Sequence, residues 1–332
     1  MTGEAPVLCC PDKFRGSLTA QEAAAALALG VERAGRTAVG LPLADGGEGT
    51  LDVLCPAASE RHSARVTGPL GARTDAEWGV RGETAVVEMA RASGLALVEG
   101  ANDPLRATTV GTGELIRAAL DSGVRRVIVA VGGSATVDGG LGALEALEFD
   151  LGGVEVVVAC DVSTTFVDAA RVFGPQKGAD DDGVAELERR LEQLAERYRA
   201  ARGIDVSTLP GSGAAGGLAG GLAAIGAKLV PGAALVADAV GLGRAVASAS
   251  LVMTGEGRLD ATSLAGKVVG HVLHEAREVG TPAALVVGDA EPSAVPDGVR
   301  CLTLVALAGS AEAAQREARR FAAEAAETLA RR

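Results

Sequence analysis

The sequence predicts an α/β protein of two α/β domains. One is a Rossmann- or flavodoxin-like parallel sheet built from both chain ends, and the other is a mixed-sheet domain inserted between them. Three observations lead there. At both ends of the chain, short β-branched apolar runs stop abruptly in Gly-rich polar loops and give way to Ala-rich helical patterns, as parallel β–loop–α units do. Between residues 61 and 89 the rhythm changes to three short strand-like segments joined by turns, an antiparallel meander. The length of 332 residues, 48% hydrophobic and with 46 Gly, is enough for two cores. The expected domains are residues 1–60 with 245–332, and residues 61–244.

Taken in order, residues 6–10 form the first strand candidate and end in Pro11-Asp12-Lys13-Phe14-Arg15-Gly16-Ser17. Thr19 and Glu22 then make a capping-box pattern ahead of a helix over 20–33. Residues 37–43 are a second strand, ending in Ala44-Asp45-Gly46-Gly47-Glu48-Gly49-Thr50 and a short helix through residue 54. The meander occupies 61–67, 74–80 and 84–89. Residues 108–114 lead into a helix through 120. The stretch 127–140, Val-Ile-Val-Ala-Val-Gly-Gly-Ser-Ala-Thr-Val-Asp-Gly-Gly, reads as a buried strand delivering a loop, with a helix over 141–147 behind it.

Residues 154–160 form another buried strand, ending at Asp161. Val184, Leu187, Leu191, Leu194 and Tyr198 recur at spacings of three and four, which predicts an amphipathic helix. Residues 210–221 are a Gly/Ala loop that opens a further helix. Residues 249–253 are a strand ending in Thr254-Gly255-Glu256-Gly257-Arg258-Leu259-Asp260, and Gly266-Lys267 opens a helix through 279. Strands follow at 283–287 and 301–306. Ser310 is the expected N-cap of one final helix with Ala314, Ala318, Phe321, Ala325 and Leu329 on a single face.

A net charge of −12 argues against nucleic acid or an anionic membrane surface as partner, and leaves room for an anionic small molecule in a local basic pocket. The longest uncharged segment, 209–227, is Gly-rich and reads as loop plus buried helix rather than a membrane span. The first six residues carry no secretory pattern, and five scattered cysteines read as reduced thiols, so a cytoplasmic protein is expected. His62, His271 and His274 make no convincing metal or triad set.

Five polar loops follow apolar strands: 11–17, 44–50, 132–140, 161 onward, and 254–260. In open α/β sheets, sites lie outside the carboxyl ends of the strands, so these loops are the candidates for chemistry. Lys13, Arg15 and Ser17 put two cations and a hydroxyl at a helix start, which suits phosphate or carboxylate. Asp45 and Glu48 can accept a hydroxyl proton or bind Mg²⁺; helix capping is the plain alternative for Glu48. Glu256, Arg258, Asp260 and Lys267 place two carboxylates near two cations, as a metal–polyphosphate site needs, and a surface ion-pair network is the alternative. Ser134, Thr136 and Asp138 can serve phosphate oxygens or a metal, and Asp161 is a candidate of the same kind. Neither a Walker A pattern nor a dinucleotide fingerprint after the first strand is present.

The motifs 11–18, 44–50, Val87-Glu88-Met89-Ala90, Gly132-Gly133-Ser134-Ala135-Thr136, Phe173-Gly174-Pro175-Gln176-Lys177-Gly178-Ala179 and 254–260, in this order, resemble the bacterial glycerate kinase family of the type without a Walker A loop. The resemblance runs from Val7 to Gly288. It implies ATP-dependent phosphorylation of D-glycerate, usually to the 2-phosphate, with Mg²⁺, on two α/β domains, one of them discontinuous. This chain departs from the family pattern at Ser163-Thr164-Thr165, at Val137 and at Ala261-Thr262-Ser263, and it is shorter between 147 and 154.

On that resemblance, Gly132, Gly133, Ser134 and Thr136 are expected to cradle nucleotide phosphates, and Lys13, Arg15 or Lys267 to neutralise the moving phosphoryl group. Glu256, Asp260 or Asp161 is expected to hold Mg²⁺. Asp45 is the first choice for base, with Asp260 also in the catalytic set. Ser17, Arg91 with Ser93, or Arg258 would bind glycerate. A monomer or homodimer is expected. A kinase for a different hydroxy acid and a non-catalytic glycerate or nucleotide sensor are the alternatives.

Overall fold

The computed structural model describes residues 5–331; residues 1–4, on which part of the N-terminal reading rests, lie outside it. In chain order the strands are β1 Val7–Cys9, β2 Ala38–Gly40, β3 Glu60–Thr67, β4 Arg73–Arg81, β5 Thr84–Glu88, β6 Arg126–Ala130, β7 Glu155–Ala159, β8 Lys228–Val230, β9 Leu251–Thr254, β10 Arg258–Leu259, β11 Ala283–Val287, β12 Asp289–Ala290 and β13 Arg300–Thr303. The chain forms two compact units. One takes the residues up to Asp45 together with those from Ala233 onward, and the other is Gly46–Gly232. The sequence places these divisions at 60/61 and 244/245. The contacts place them earlier, because the segment 46–54 is held within the second unit: Glu88 accepts the Gly49 and Leu51 N–H groups, and Asp52 pairs with Arg61.

The first unit is built on a parallel five-stranded sheet in the order β13-β11-β9-β1-β2. Cys9 and Cys10, adjacent at the end of β1, are both fully buried, as expected where both faces of a parallel sheet are covered. Thr19 and Glu22 form the predicted capping box at the start of the helix Ala20–Arg33. That helix packs against the C-terminal helix Ala318–Ala330, burying Leu27, Val31, Phe321, Ala325 and Leu329 in one core. A two-stranded parallel pair, β10 with β12, sits beside this sheet.

One expectation is corrected here. Ser310 does cap a helix, but only Ala311–Arg316; Glu317 leaves helical geometry at φ −118°, and a second helix begins at Ala318. Ala314, Ala318, Phe321, Ala325 and Leu329 are buried nonetheless. A break of one residue leaves the three- and four-residue spacing intact, so the apolar pattern does not reveal it.

The second unit is a six-stranded mixed sheet in the order β3-β4-β5-β6-β7-β8. The meander β3–β4–β5 is antiparallel, and β5 through β8 are parallel. The apolar runs of β6 and β7 are buried along their length, and the helix Asp181–Arg202 buries Leu187, Leu191, Leu194 and Tyr198 as its spacing predicts. The three-residue β8 has too short an apolar run to be read from sequence. The uncharged segment 209–227 becomes a buried turn and the helix Leu218–Ala224. Among the described residues no helix is long and apolar enough to cross a membrane.

The contact between the helices Ala20–Arg33 and Ala318–Ala330 depends on Gly30. A Cβ there would stand 2.8 Å from the Ala326 Cβ and closer still to the Ala323 carbonyl. Helix propensity alone favours Ala over Gly by about 1 kcal/mol. The steric conflict is the larger effect, so Gly30→Ala is expected to destabilise the protein by about 1–3 kcal/mol. A urea midpoint equal to or above the wild-type value would show that the two helices can separate without loss.

Candidate functional site

In the first unit, three neighbouring parallel strands deliver their carboxyl ends side by side. Cys10 N–H donates to the Met253 carbonyl at 2.8 Å and Asp12 N–H to the Gly255 carbonyl at 2.9 Å, which ties the loop after β1 to the loop after β9. On the other side, Leu41 N–H donates to the Cys9 carbonyl at 2.8 Å and Leu43 N–H to the Pro11 carbonyl at 3.0 Å. Thr254 Oγ1 closes the arrangement by donating to the Cys10 carbonyl. Asp12, Lys13, Asp45 and Glu256 therefore meet because their strands are neighbours, although they lie far apart in sequence.

Lys13 Nζ stands 3.5 Å from Asp45 Oδ1 and 3.7 Å from Asp12 Oδ1. Burial opposes its charge, but the two carboxylates outweigh burial and hold its pKa above the ordinary lysine value. Burial pushes the Asp12 carboxyl up to about 7. Lys13 and the Lys13 backbone N–H pull the other way, while Asp45 and Glu256 add to the rise. Glu256 is likewise raised, mainly by burial, with Asp260 and Asp45 adding and Ser263 and Lys267 opposing. Its Oε1 is buried and has no hydrogen-bond partner among the described residues. Asp12 is thus a member of the cluster that its sequence context did not single out. Its position directly before Lys13 was visible, but its burial was not.

Four of the remaining candidates of this unit have local partners. Arg15 is exposed. Ser17 Oγ donates to the Phe14 carbonyl at 3.1 Å. Asp260 caps the short 3-10 helix Ala261–Leu264, accepting from Thr262 and Ser263 N–H groups. Lys267 precedes the helix Val268–Val279, and its Nζ donates to Thr262 Oγ1 at 2.9 Å. Arg258 is exposed and pairs with Glu291 at 3.2 Å.

In the second unit, β6 runs into the loop 131–140. Gly132 permits a backbone approach that no other residue would allow, since a Cβ there would lie 2.5 Å from the Gly47 Cα. Gly133 lies in the left-handed region at φ 74° beside the Glu48 side chain. The loop is held from several directions: Leu95 N–H donates to the Gly133 carbonyl, Ala135 N–H to the Ser93 carbonyl, and Gly139 N–H to the Gly216 carbonyl. Lys177 Nζ donates to Ser134 Oγ and to the Thr136 carbonyl, each at 2.7 Å. Thr136 Oγ1 is buried with no hydrogen-bond partner among the described residues. Lys177 lies inside a motif quoted from the sequence, yet no role attached to it there; a lysine within an irregular loop gives no sign of being 4% exposed.

Arg91, Ser93, Asp138 and Asp161 also have partners within this unit. Arg91 pairs with Asp52 at 2.8 Å and Glu77 at 3.0 Å, and stands 3.8 Å from Glu88. Ser93 is buried and accepts from Thr112 Oγ1. Asp138 is turned inward, accepting from Thr109 N–H, Thr109 Oγ1 and Gly140 N–H. Asp161 accepts the Gly232 N–H at 2.7 Å. Among the described residues no group of three or more His, Cys, Asp or Glu side chains is arranged to hold a metal ion.

The Asp12 environment gives a pH signature. An unfolded Asp titrates near 4, whereas the folded group titrates at about 7. Between those values the folded protein keeps a proton that the unfolded chain has lost, so raising the pH through this window removes stability. Asp12→Asn is neutral throughout. It is expected to melt above wild type at about pH 8, with the gap closing toward about pH 4. Thermal melts across this range decide the matter, and a gap that opens on the acid side would mean that Lys13 stabilises a charged Asp12.

The sequence profile described as "Glycerate kinase family" matches residues 7–153 and 148–332. An Escherichia coli K12 protein named "Glycerate 2-kinase" is 40% identical over 323 residues, covering 85% of this chain and 84% of its own. A "Glycerate kinase" of Halalkalibacterium halodurans is 39% identical over 322 residues, with 85% of each chain covered. The crystal structure of a putative glycerate kinase 2 from Salmonella typhimurium LT2 superposes with a TM-score of 0.82 at 34% identity, covering 99% of this chain and 98% of that one. Profile, relatives and fold agree along the sequence, and the chain belongs to the glycerate kinase family.

Proposed function

We propose that this protein transfers the terminal phosphoryl group of ATP to the 2-hydroxyl of glycerate. The observation that carries the reading is the placement of Lys13 between Asp12 and Asp45 at the ends of neighbouring parallel strands, in a chain of this family. The E. coli relative's name, "Glycerate 2-kinase", supports the choice of hydroxyl.

In this reading Asp45 orients the acceptor hydroxyl and takes its proton. Lys13, held charged by its two carboxylate neighbours, neutralises charge on the phosphoryl group, and exposed Arg15 and half-buried Lys267 add positive potential for the anionic substrates. Backbone N–H groups of Gly132 and Gly133 with the hydroxyls of Ser134 and Thr136 hold nucleotide phosphates. Among Glu256, Asp260 and Asp161, the sequence's candidates for Mg²⁺, Glu256 fits best: its buried Oε1 lacks a partner, whereas the other two carboxylates cap backbone N–H groups. Mg²⁺ takes one or two protein carboxylates and completes its shell with phosphate oxygens and water, so a three-carboxylate cage is not required. When bound, it would neutralise charge on the nucleotide phosphates.

Glycerate's carboxylate falls to Arg15 rather than to Arg91, which three carboxylates surround, or to Arg258, which pairs with Glu291. Ser17 and Ser93 already have partners within the protein.

The test is a coupled assay with glycerate, other small hydroxy acids and Mg-ATP, with the product's phosphate position read by NMR. Asp45→Asn is expected to lower kcat by roughly 10²-fold or more with little change in the KM for ATP. Undiminished turnover in that variant would remove Asp45 as the base. Binding of glycerate or nucleotide by the wild type without any turnover would favour a sensor.

A further inference from the structure

We infer that Lys177 is a positioning residue of the 132–136 loop: it fixes Ser134 and Thr136 for an anion and supplies positive charge to the loop when that anion arrives. The inference rests on the reading of this loop as a phosphate cradle.

Lys177 ends the 3-10 helix Pro175–Lys177 and is 4% exposed. An ammonium has three N–H donors, and two are committed within the protein, to Ser134 Oγ and the Thr136 carbonyl. Because Ser134 Oγ accepts from Lys177, its own O–H is left to donate elsewhere. Thr136 Oγ1, fully buried, has no partner either. The loop and the 3-10 helix are locked a second time by Asn102, whose Nδ2 donates to the Ala135 carbonyl at 2.9 Å and the Lys177 carbonyl at 2.8 Å. An immobile amine, one hydroxyl oriented by it and one unpartnered hydroxyl thus gather on a Gly-rich loop. A clamp with only a structural duty would not leave the second hydroxyl orphaned.

Among the described residues no carboxylate pairs with Lys177. The acidic group acting on it is Asp138, already occupied by Thr109 and Gly140, and the Phe173 ring centroid lies 5.7 Å from Nζ. Burial pushes the amine down to about 7, against the pull of Asp138. Above that pH the amine of the anion-free protein is largely neutral. A phosphate beside Ser134 and Thr136 favours the ammonium form, so binding draws one proton from solvent onto Nζ.

The experiment is calorimetric titration of Mg-ADP at about pH 8, in two buffers of different ionisation enthalpy, on wild type, Ser134→Ala, Lys177→Met and Lys177→Arg. Melting curves check the fold of each variant. Wild type is expected to take up roughly half a proton or more per ADP. Lys177→Arg, whose charge is fixed, takes up none. Lys177→Met and Ser134→Ala each bind ADP ~10-fold or more weakly. Unchanged ADP affinity in both Ser134→Ala and Lys177→Met would remove the cradle itself. Weakened binding in Ser134→Ala, with wild-type affinity and proton uptake in Lys177→Met, would keep the cradle and overturn the role of Lys177. If neither Lys177 variant folds, the wild-type proton count decides, and zero uptake overturns the inference.

Discussion

The parallel pairing of β1 with β2 on one side and β9 on the other is the constraint on which the acid–base cluster depends. Each hydrogen bond between these strands fixes a register, and the register fixes which residue of each loop emerges beside which. The ladder continues up to three residues past the strands, through Cys10, Asp12, Leu41 and Leu43. Lys13 and its carboxylates are therefore placed by backbone geometry. Their mutual attraction tunes them after placement, since an ion pair near a surface is too weak to organise a sheet.

The second unit solves the same problem differently. Its loop at 132–136 departs from β6 with one isolated bridge, Ser134 to Gly94, and is held by the side chains of Lys177 and Asn102, from two separate segments, and by backbone groups of Ser93 and Leu95 from a third. One unit thus presents titratable groups on an extended ladder. The other presents small and hydroxylated residues on a braced loop.

Much of this was legible in the residues. The abrupt change from β-branched runs to glycine marks where each parallel strand ends, and the alternation at 61–89 marks the antiparallel edge. Lys13, Asp45 and Glu256 were legible because they stand in loops after apolar strands. What stayed hidden was burial and partnership. Asp138 and Asp161, like Asp45, stand in loops after apolar strands, and their carboxylates accept backbone N–H groups that the local sequence does not reveal. Arg91 looks like a substrate cation until Asp52 and Glu77 arrive from other elements. Glu88, in a motif with no obvious duty, turns out to hold the start of the helix Thr50–Leu54 through two N–H groups. In each case the deciding neighbour is distant in sequence.

The two ends of the chain share one core, with the helix Ala20–Arg33 seated on Ala318–Ala330. This imposes an order on biosynthesis. On the ribosome the continuous unit Gly46–Gly232 is complete while β1 still lacks its partner β9 and the first helix lacks its cover. The apolar face of residues 20–33 must wait, uncovered, until the helix Ala318–Ala330 has been made, and domains fold as units in the order in which their chain segments emerge. The discontinuous unit is therefore the late and vulnerable step of the protein's assembly, and the segment most exposed to misassociation is its early-made helix Ala20–Arg33.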